Sequence, residues 1–535
     1  MAWSKVVWLC GCLFASISVA GQSNRYIVNL TDKNNSPFSV QAPQQFLSAK
    51  SIARRQKQQI AVTLDDLPVN PEYLSQLAAT GCKIRYTSRW RNAVLVEATE
   101  TQLTAIEALP IVKSTEFVGP PKAASGGRAR SFKDRMDSNI APATLGQLSM
   151  LGIDEMQAAG YRGEGITIAV FDSGFLGVNT GAAFSSMFTE GRLQMQFDFV
   201  GYSADVFQYD GHGTEVLSTM AANSTGAFTG GAFQANYQLY VTEDVKSEFR
   251  VEEYNALFAA EKADSAGADI INISLGYYSF DDEVMDYNPA QLDGKTSVIS
   301  WTATEAQLRG MLVVCSAGNE GNLPWKLVAP PGDAIDVLAV GAVSSQGTRM
   351  SFSSVGPSAD GRVKPDVVAL GSGVSVVKPN GAVSTSSGTS VASPLVASLA
   401  AGIWQAFPEL TASELAHAMR MSADRASMPD NSRGYGVPHY QAVVNFIRAQ
   451  ESTDFISAYP NPTESISNIL LQELESSQVE VAVYDLAGRM VFSSVILLNW
   501  QINPFQLDMS AWPAGLYLVK VQNGSSVQTL RLVKR

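Results

Sequence analysis

Histidine is nearly missing from this chain, with three residues in 535. Any chemistry that needs an imidazole must therefore use His212, His417 or His439. Cysteine is almost as scarce: of four residues, Cys10 and Cys12 fall in an N-terminal apolar run, while Cys82 and Cys315 fall in separate regions. That distribution argues against a disulfide framework. Cys315, inside Met311-Leu312-Val313-Val314-Cys315, reads as a small buried hydrophobe on a strand. Basic residues are outnumbered, 38 Lys and Arg against 50 Asp and Glu, for a formal net charge of −12. Such a balance argues against nucleic acid or an anionic membrane as partner. Only 16% of residues are charged and 46% are hydrophobic, which excludes a disordered chain and predicts a soluble, acidic, globular one. The apolar run from Val6 to Val19 is too short for a comfortable membrane span.

That run follows Lys5 and ends in Ser18-Val19-Ala20 before Gly21, the small residues that suit signal-peptidase cleavage after Ala20. Residues 1–20 are read as a signal peptide, so the mature chain is expected to lack a transmembrane segment. The length predicts several domains. From 21 to 118 the pattern is mixed, with strands at 26–30, 92–97 and 115–118 and helices at 51–57 and 101–109, a small α+β domain. Residues 119–144 are rich in small, flexible and basic residues and read as a linker that a protease can enter. Between 145 and 447, strands at 166–171, 237–241, 269–274, 311–316 and 337–343 alternate with helices at 251–266 and 302–309. Alternation of that kind predicts an α/β domain, a doubly wound parallel sheet covered on both faces. A second linker, 448–457, leads to 458–535, where short strands at 479–484, 516–521 and 529–533 and turn signals at Ala487-Gly488 and Asn523-Gly524 predict a small β-sandwich.

Chemistry concentrates at Gly388-Thr389-Ser390-Val391-Ala392-Ser393-Pro394, which opens an apolar segment running to Trp404. A run without a polar face suits a buried helix, and a tight turn at its mouth suits a nucleophile at Ser390. Pro394 fits the first turn of that helix, where a missing N–H costs no intrahelical bond. The same residues also fit Ser387 or Ser390 as a plain N-cap. A serine nucleophile needs a base within hydrogen-bond reach and a third group to hold that base. His417 lies on an amphipathic helix and His439 in a loop with no acid beside it, and both read as structural. His212 stands between two glycines in Asp210-Gly211-His212-Gly213-Thr214, at the mouth of another helix. The acid is Asp172, at the carboxyl end of the strand that Asp172-Ser173-Gly174 terminates, where open α/β sheets place their sites.

The order Asp172, His212, Ser390, with Ser274-Leu275-Gly276 and Ala317-Gly318-Asn319 between them, resembles the subtilisin-like serine proteases, or subtilases, over residues 145 to 447. The resemblance implies a secreted serine endopeptidase that hydrolyses protein or peptide substrates through an Asp-His-Ser triad and an acyl-enzyme. It implies Asn319 as the oxyanion-hole side chain and Ser274, Leu275, Gly276, Ala317 and Gly318 as substrate-binding residues. It further implies that residues 21–118 are a propeptide that assists folding and blocks the cleft, against which a permanent accessory domain is the rival reading. Tyr459-Pro460-Asn461-Pro462, Val483-Tyr484-Asp485-Leu486-Ala487-Gly488-Arg489, Pro513-Ala514-Gly515-Leu516-Tyr517 and the final Lys534-Arg535 resemble the C-terminal sorting domain of the type IX secretion system of Bacteroidota. That likeness implies the export machinery of the outer membrane as partner and a secreted or cell-surface location.

Two other functions stay open at this level. One is a non-catalytic surface binding protein on the same fold, which would be expected to have lost a triad residue or Asn319. The other is an esterase of the α/β-hydrolase class, whose order needs the histidine last and whose elbow needs a second glycine that Gly388-Thr389-Ser390-Val391-Ala392 lacks. Asp281, Asp282, Glu283 and Asp286 carry the hard oxygen ligands that calcium takes, but read first as a solvated acidic loop. No cofactor and no metal ligand is assigned.

Overall fold

The structure is a computed structural model that describes residues 23–121, 144–224, 226–450, 456–471, 478–497, 504–524 and 526–535. The signal-peptide reading and most of the 119–144 linker fall outside those residues.

The N-terminal unit is one antiparallel sheet of β1 (Asn24–Leu30), β2 (Lys83–Ser88), β3 (Ala93–Ala98) and β4 (Val112–Gly119), in the order β2-β3-β1-β4. It is accompanied by α1 (Ala49–Lys57), α2 (Pro71–Ala79) and α3 (Glu100–Glu107). Local signals set the helix starts. Ser48 and Thr99 accept hydrogen bonds from the backbone N–H groups of Ser51 and Gln102, and Gln102 completes a capping box. Strand β2 and helix α2 were not expected. In β2 only Ile84 and Tyr86 are apolar among charged and hydroxyl neighbours, too weak a pattern to stand out.

The central sheet has seven parallel strands: β5 (Thr167–Asp172), β6 (Leu193–Asp198), β7 (Asn236–Val241), β8 (Ile270–Ile273), β9 (Leu312–Ser316), β10 (Leu338–Val343) and β11 (Val367–Leu370). Their order is β11-β10-β9-β8-β5-β7-β6. Alternate residues feed two cores, as a two-residue side-chain period requires. Ile168, Val170, Leu312 and Val314 face one core with α4 (His212–Ala221) and α7 (Thr389–Ala406). Ala169, Phe171, Val313 and Cys315 face the other with α5 (Val251–Ala266) and α6 (Val298–Leu308). Both faces being covered, the strands read as near-continuous apolar runs, and this is what the sequence displays. Helix α6 begins four residues before the expected Thr302. Ser297 caps it by accepting from Ser300 N, and its first turn holds the β-branched Val298 and Ile299.

The second core also takes Ile27, Trp90, Ala93, Leu95 and Val118 from the N-terminal unit. Helices α5 and α6 are therefore sandwiched between two sheets, and α5 buries Glu252, Glu253, Glu261 and Asp264 along with its apolar residues.

Helix α7 holds a surprise: Pro394 lies within it, as its sixth residue and not in the first turn. A proline there removes the N–H that would bond to the carbonyl of Ser390. Ser274 Oγ donates to that carbonyl instead, at 2.9 Å. The missing intrahelical bond is thus replaced from a neighbouring strand end.

The C-terminal strands form a three-stranded sheet (Ile456–Tyr459, Ile466–Leu471, Phe505–Asp508) and a four-stranded one (Gln478–Asp485, Met490–Leu497, Gly515–Asn523, Ser526–Lys534) around one core. Tyr459 packs edge-on against Phe446 of the preceding helix. Among the described residues no helix is long and apolar enough to cross a membrane, and Cys82 and Cys315 are free and buried.

Candidate active site

Strand β5 delivers Asp172 to the carboxyl edge of the sheet, fully buried. Helix α4 starts directly against it, which needs a residue without a side chain after the histidine. A Cβ on Gly213 would stand 2.4 Å from Gly174 O and 2.9 Å from Asp172 Cβ. His212, the first residue of α4, lies with Nδ1 2.8 Å from Asp172 Oδ1. A carboxylate can only accept, so Nδ1 carries the proton and Nε2 presents its lone pair. Ser173 N donates to the same carboxylate oxygen at 2.8 Å and fixes it.

Ser390 is the second residue of α7, which packs along α4. It is 2% exposed and its Oγ has no hydrogen-bond partner. Its backbone is held from below. Ser274 Oγ donates to Ser390 O, accepts from Asn272 Nδ2 at 3.0 Å and meets Ser393 Oγ at 3.1 Å. Replacing Ser274 with Ala leaves a buried carbonyl unsatisfied, and a loss of about 1–3 kcal/mol in stability is expected by denaturant titration.

Asn319 follows β9. Its Oδ1 accepts from Thr389 N at 2.9 Å and from Thr389 Oγ1 at 3.0 Å, while Thr389 Oγ1 accepts from Gly318 N at 3.2 Å. With the amide oxygen tied to the residue before Ser390, the Nδ2 donor points the other way. Thr389 thus orients Asn319, a role the sequence reading did not assign; its only signal was adjacency to Ser390.

Of the substrate-binding candidates, Ser274 (1% exposed), Leu275 (2%) and Ala317 (0%) keep their side chains in the interior, and Gly276 and Gly318 have none. What these residues can offer a peptide is main chain.

Among the other histidines, His417 is tilted against Phe446 and its pKa is lowered by burial. His439 Nδ1 accepts from Gln441 N at 3.3 Å. In the acidic loop Asp282 accepts from Val284 N and Asp286 from Phe280 N, while Asp281 accepts from Glu248 N of a different segment. A carboxyl that sequence reasoning missed is Glu243, just past β7. Burial, with the charge of Asp172 adding to it, pushes its pKa up to about 7, although Tyr277 donates to it at 2.7 Å.

Comparison with known proteins adds to this geometry. The model described as "Subtilase family" matches residues 163–437. "Peptidase S8 propeptide domain, Bacteroidota" matches 25–134, running into the stretch read as linker. "Secretion system C-terminal sorting domain" matches 457–535. Subtilisin DY of Bacillus licheniformis is 30% identical over 288 residues, 53% of this chain and 92% of that one. Serine protease AprX of Bacillus subtilis (strain 168) is 29% identical over 293 residues, 49% of this chain and 62% of that one. The solved MycP3 protease from the type VII (ESX-3) secretion system is 23% identical, with a TM-score of 0.48, covering 61% of this chain and 96% of that one.

Proposed function

The chain belongs to the subtilase family and is a serine endopeptidase, and from that premise we propose that Asp172, His212 and Ser390 are its triad, with Asn319 in the oxyanion hole. The observation that carries the assignment is the pairing of His212 with the buried Asp172, with Ser390 Oγ uncommitted at the start of the helix packed on that of His212. Ser390 Oγ attacks the scissile carbonyl carbon as His212 Nε2 takes its proton. Asp172 holds the ring in the required tautomer and stabilises the imidazolium. Negative charge then develops on the carbonyl oxygen, where Asn319 Nδ2–H and Ser390 N–H donate to it. His212 returns the proton to the leaving amine, and water releases the acyl-enzyme by the same sequence.

Main chain at 274–276 and 317–318 supports pairing with an extended peptide, so that affinity comes from backbone hydrogen bonds. The sorting domain implies secretion or cell-surface export. Within that, residues 1–20 act as signal peptide and an outer-membrane export machinery is the partner of residues 457–535.

Substituting Asn319 with Ala tests the oxyanion role. A fall in kcat of about 10²–10³ with KM unchanged is expected, a magnitude that comes from a subtilisin asparagine. Loss confined to KM would place Asn319 in ground-state binding instead.

A further inference from the structure

Glu252 is left unexplained by the proteolytic site. It is fully buried in the first turn of α5, and neither carboxylate oxygen has a hydrogen-bond partner. A helix N-terminus favours an anion, but a buried carboxylate normally finds a donor or a cation as well. What surrounds Glu252 is more negative charge. Glu243 and Glu248, from the loop between β7 and α5, bring their carboxyls toward it, and one oxygen from each of the three lies within 4.8 Å of the others. No other set of three ligating side chains converges this closely among the described residues. Tyr277 occupies one oxygen of Glu243. The charge of Arg25 of β1 acts on Glu252, yet its Nε is committed to Pro120 O at 2.7 Å.

We propose that Glu243, Glu248 and Glu252 bind a divalent cation, and that the cation is calcium. All three ligands are hard carboxylate oxygens, the donor type calcium takes. Two of them sit on a loop, which suits the loose geometry of calcium better than the strict octahedron of magnesium. The position gives the ion a task. Thr242 N, beside Glu243, donates to Asp172 O, and Tyr277, bonded to Glu243, follows Ser274-Leu275-Gly276. An ion here ties the 243–248 loop to α5 and to the end of the segment proposed to pair with substrate. The acidic residues at 281–286 adjoin this group, with Asp281 accepting from the backbone N–H of Glu248, but their carboxylates are not among the three that converge.

The test uses the full chain carrying Ser390→Ala, so that self-digestion cannot interfere and the outcome is independent of the proteolytic reading. Chelator-treated protein is titrated with terbium(III), excited through tyrosine, because Tyr277 touches Glu243. Saturable emission that calcium displaces is expected, together with a rise in melting temperature on adding calcium alone. Glu252→Gln is expected to lower the number of bound ions by one per chain and to abolish that rise, while melting no lower than the parent when metal-free. Should that variant not fold, Glu248→Gln, in a less buried position, carries the same expectation. No calcium uptake by the parent, or undiminished stoichiometry in the variants, overturns the proposal.

Discussion

Replacing Ser390 with Ala lowers kcat for peptide hydrolysis by about a million-fold, a figure measured in a subtilisin, and leaves the melting temperature unchanged. The two halves of this expectation have one cause. Ser390 Oγ makes no hydrogen bond, so removing it breaks no interaction that holds the fold. The turn around it is secured by other groups, namely Ser274 on its carbonyl and Asn319 on the preceding amide. What disappears is the one atom proposed to form the acyl bond. Residual hydrolysis above the uncatalysed rate comes from the oxyanion donors and from binding. Single-turnover assays on a chromogenic peptide, paired with thermal melts, check both halves. Normal turnover by the variant would remove Ser390 from the mechanism.

The second large effect is expected away from the site, where the N-terminal unit docks. Asp264 of α5 is fully buried and accepts from Arg54, Arg55 and Arg89, all three from the N-terminal unit. Asp66 of that unit is in turn shared between Arg55 and Arg309 of the catalytic domain, each at 3.0 Å. Substituting Asp264 with Ala removes the carboxylate that three buried guanidinium groups share, leaving Arg55 to Asp66 and Arg89 to Glu261 and taking the carboxylate partner of Arg54 away. Removing one partner of a buried ionic network costs about 3–5 kcal/mol, and the full chain is expected to lose stability of that order in denaturant titration.

The same network sets a pH dependence. Burial pushes the carboxyl of Asp264 up, but Arg89, Arg54, Arg55 and Arg309 outweigh it and hold the pKa below the ordinary value. Asp66 behaves alike, with Arg55 and Arg309 overcoming its burial. A carboxylate with a depressed folded-state pKa contributes stability above its unfolded value and loses it as pH falls through the folded one. Docking of the N-terminal unit is therefore expected to weaken below the ordinary carboxylate range.

Why the sequence showed some of this and hid the rest follows from the kinds of contact involved. Strands β5, β8, β9 and β10 were legible because a parallel sheet covered on both faces buries every residue, leaving unbroken apolar runs. Helix α5 was found at Val251–Ala266, within the expected bounds, yet nothing local said that its acids are buried. Their burial depends on the N-terminal unit, whose arginines are far away in the chain. Asp172, His212 and Ser390 could be read because each is adjacent to glycines or strand ends that carry their own signal. The support of Ser390 could not. Thr389 anchors Asn319 across 70 positions and Ser274 reaches Ser390 across 116, and Pro394 sits deeper in its helix than its local preference suggested because Ser274 replaces the bond it removes.

The central proposal is that the uncommitted Ser390 hydroxyl, at the start of α7, is the reactive one. Mass spectrometry after treatment with diisopropyl fluorophosphate tests this. One adduct per chain, mapped to Ser390, with casein hydrolysis falling in proportion and no adduct in His212→Ala, is the predicted result. An adduct on a different serine, or full proteolytic activity in protein modified at Ser390, would contradict it.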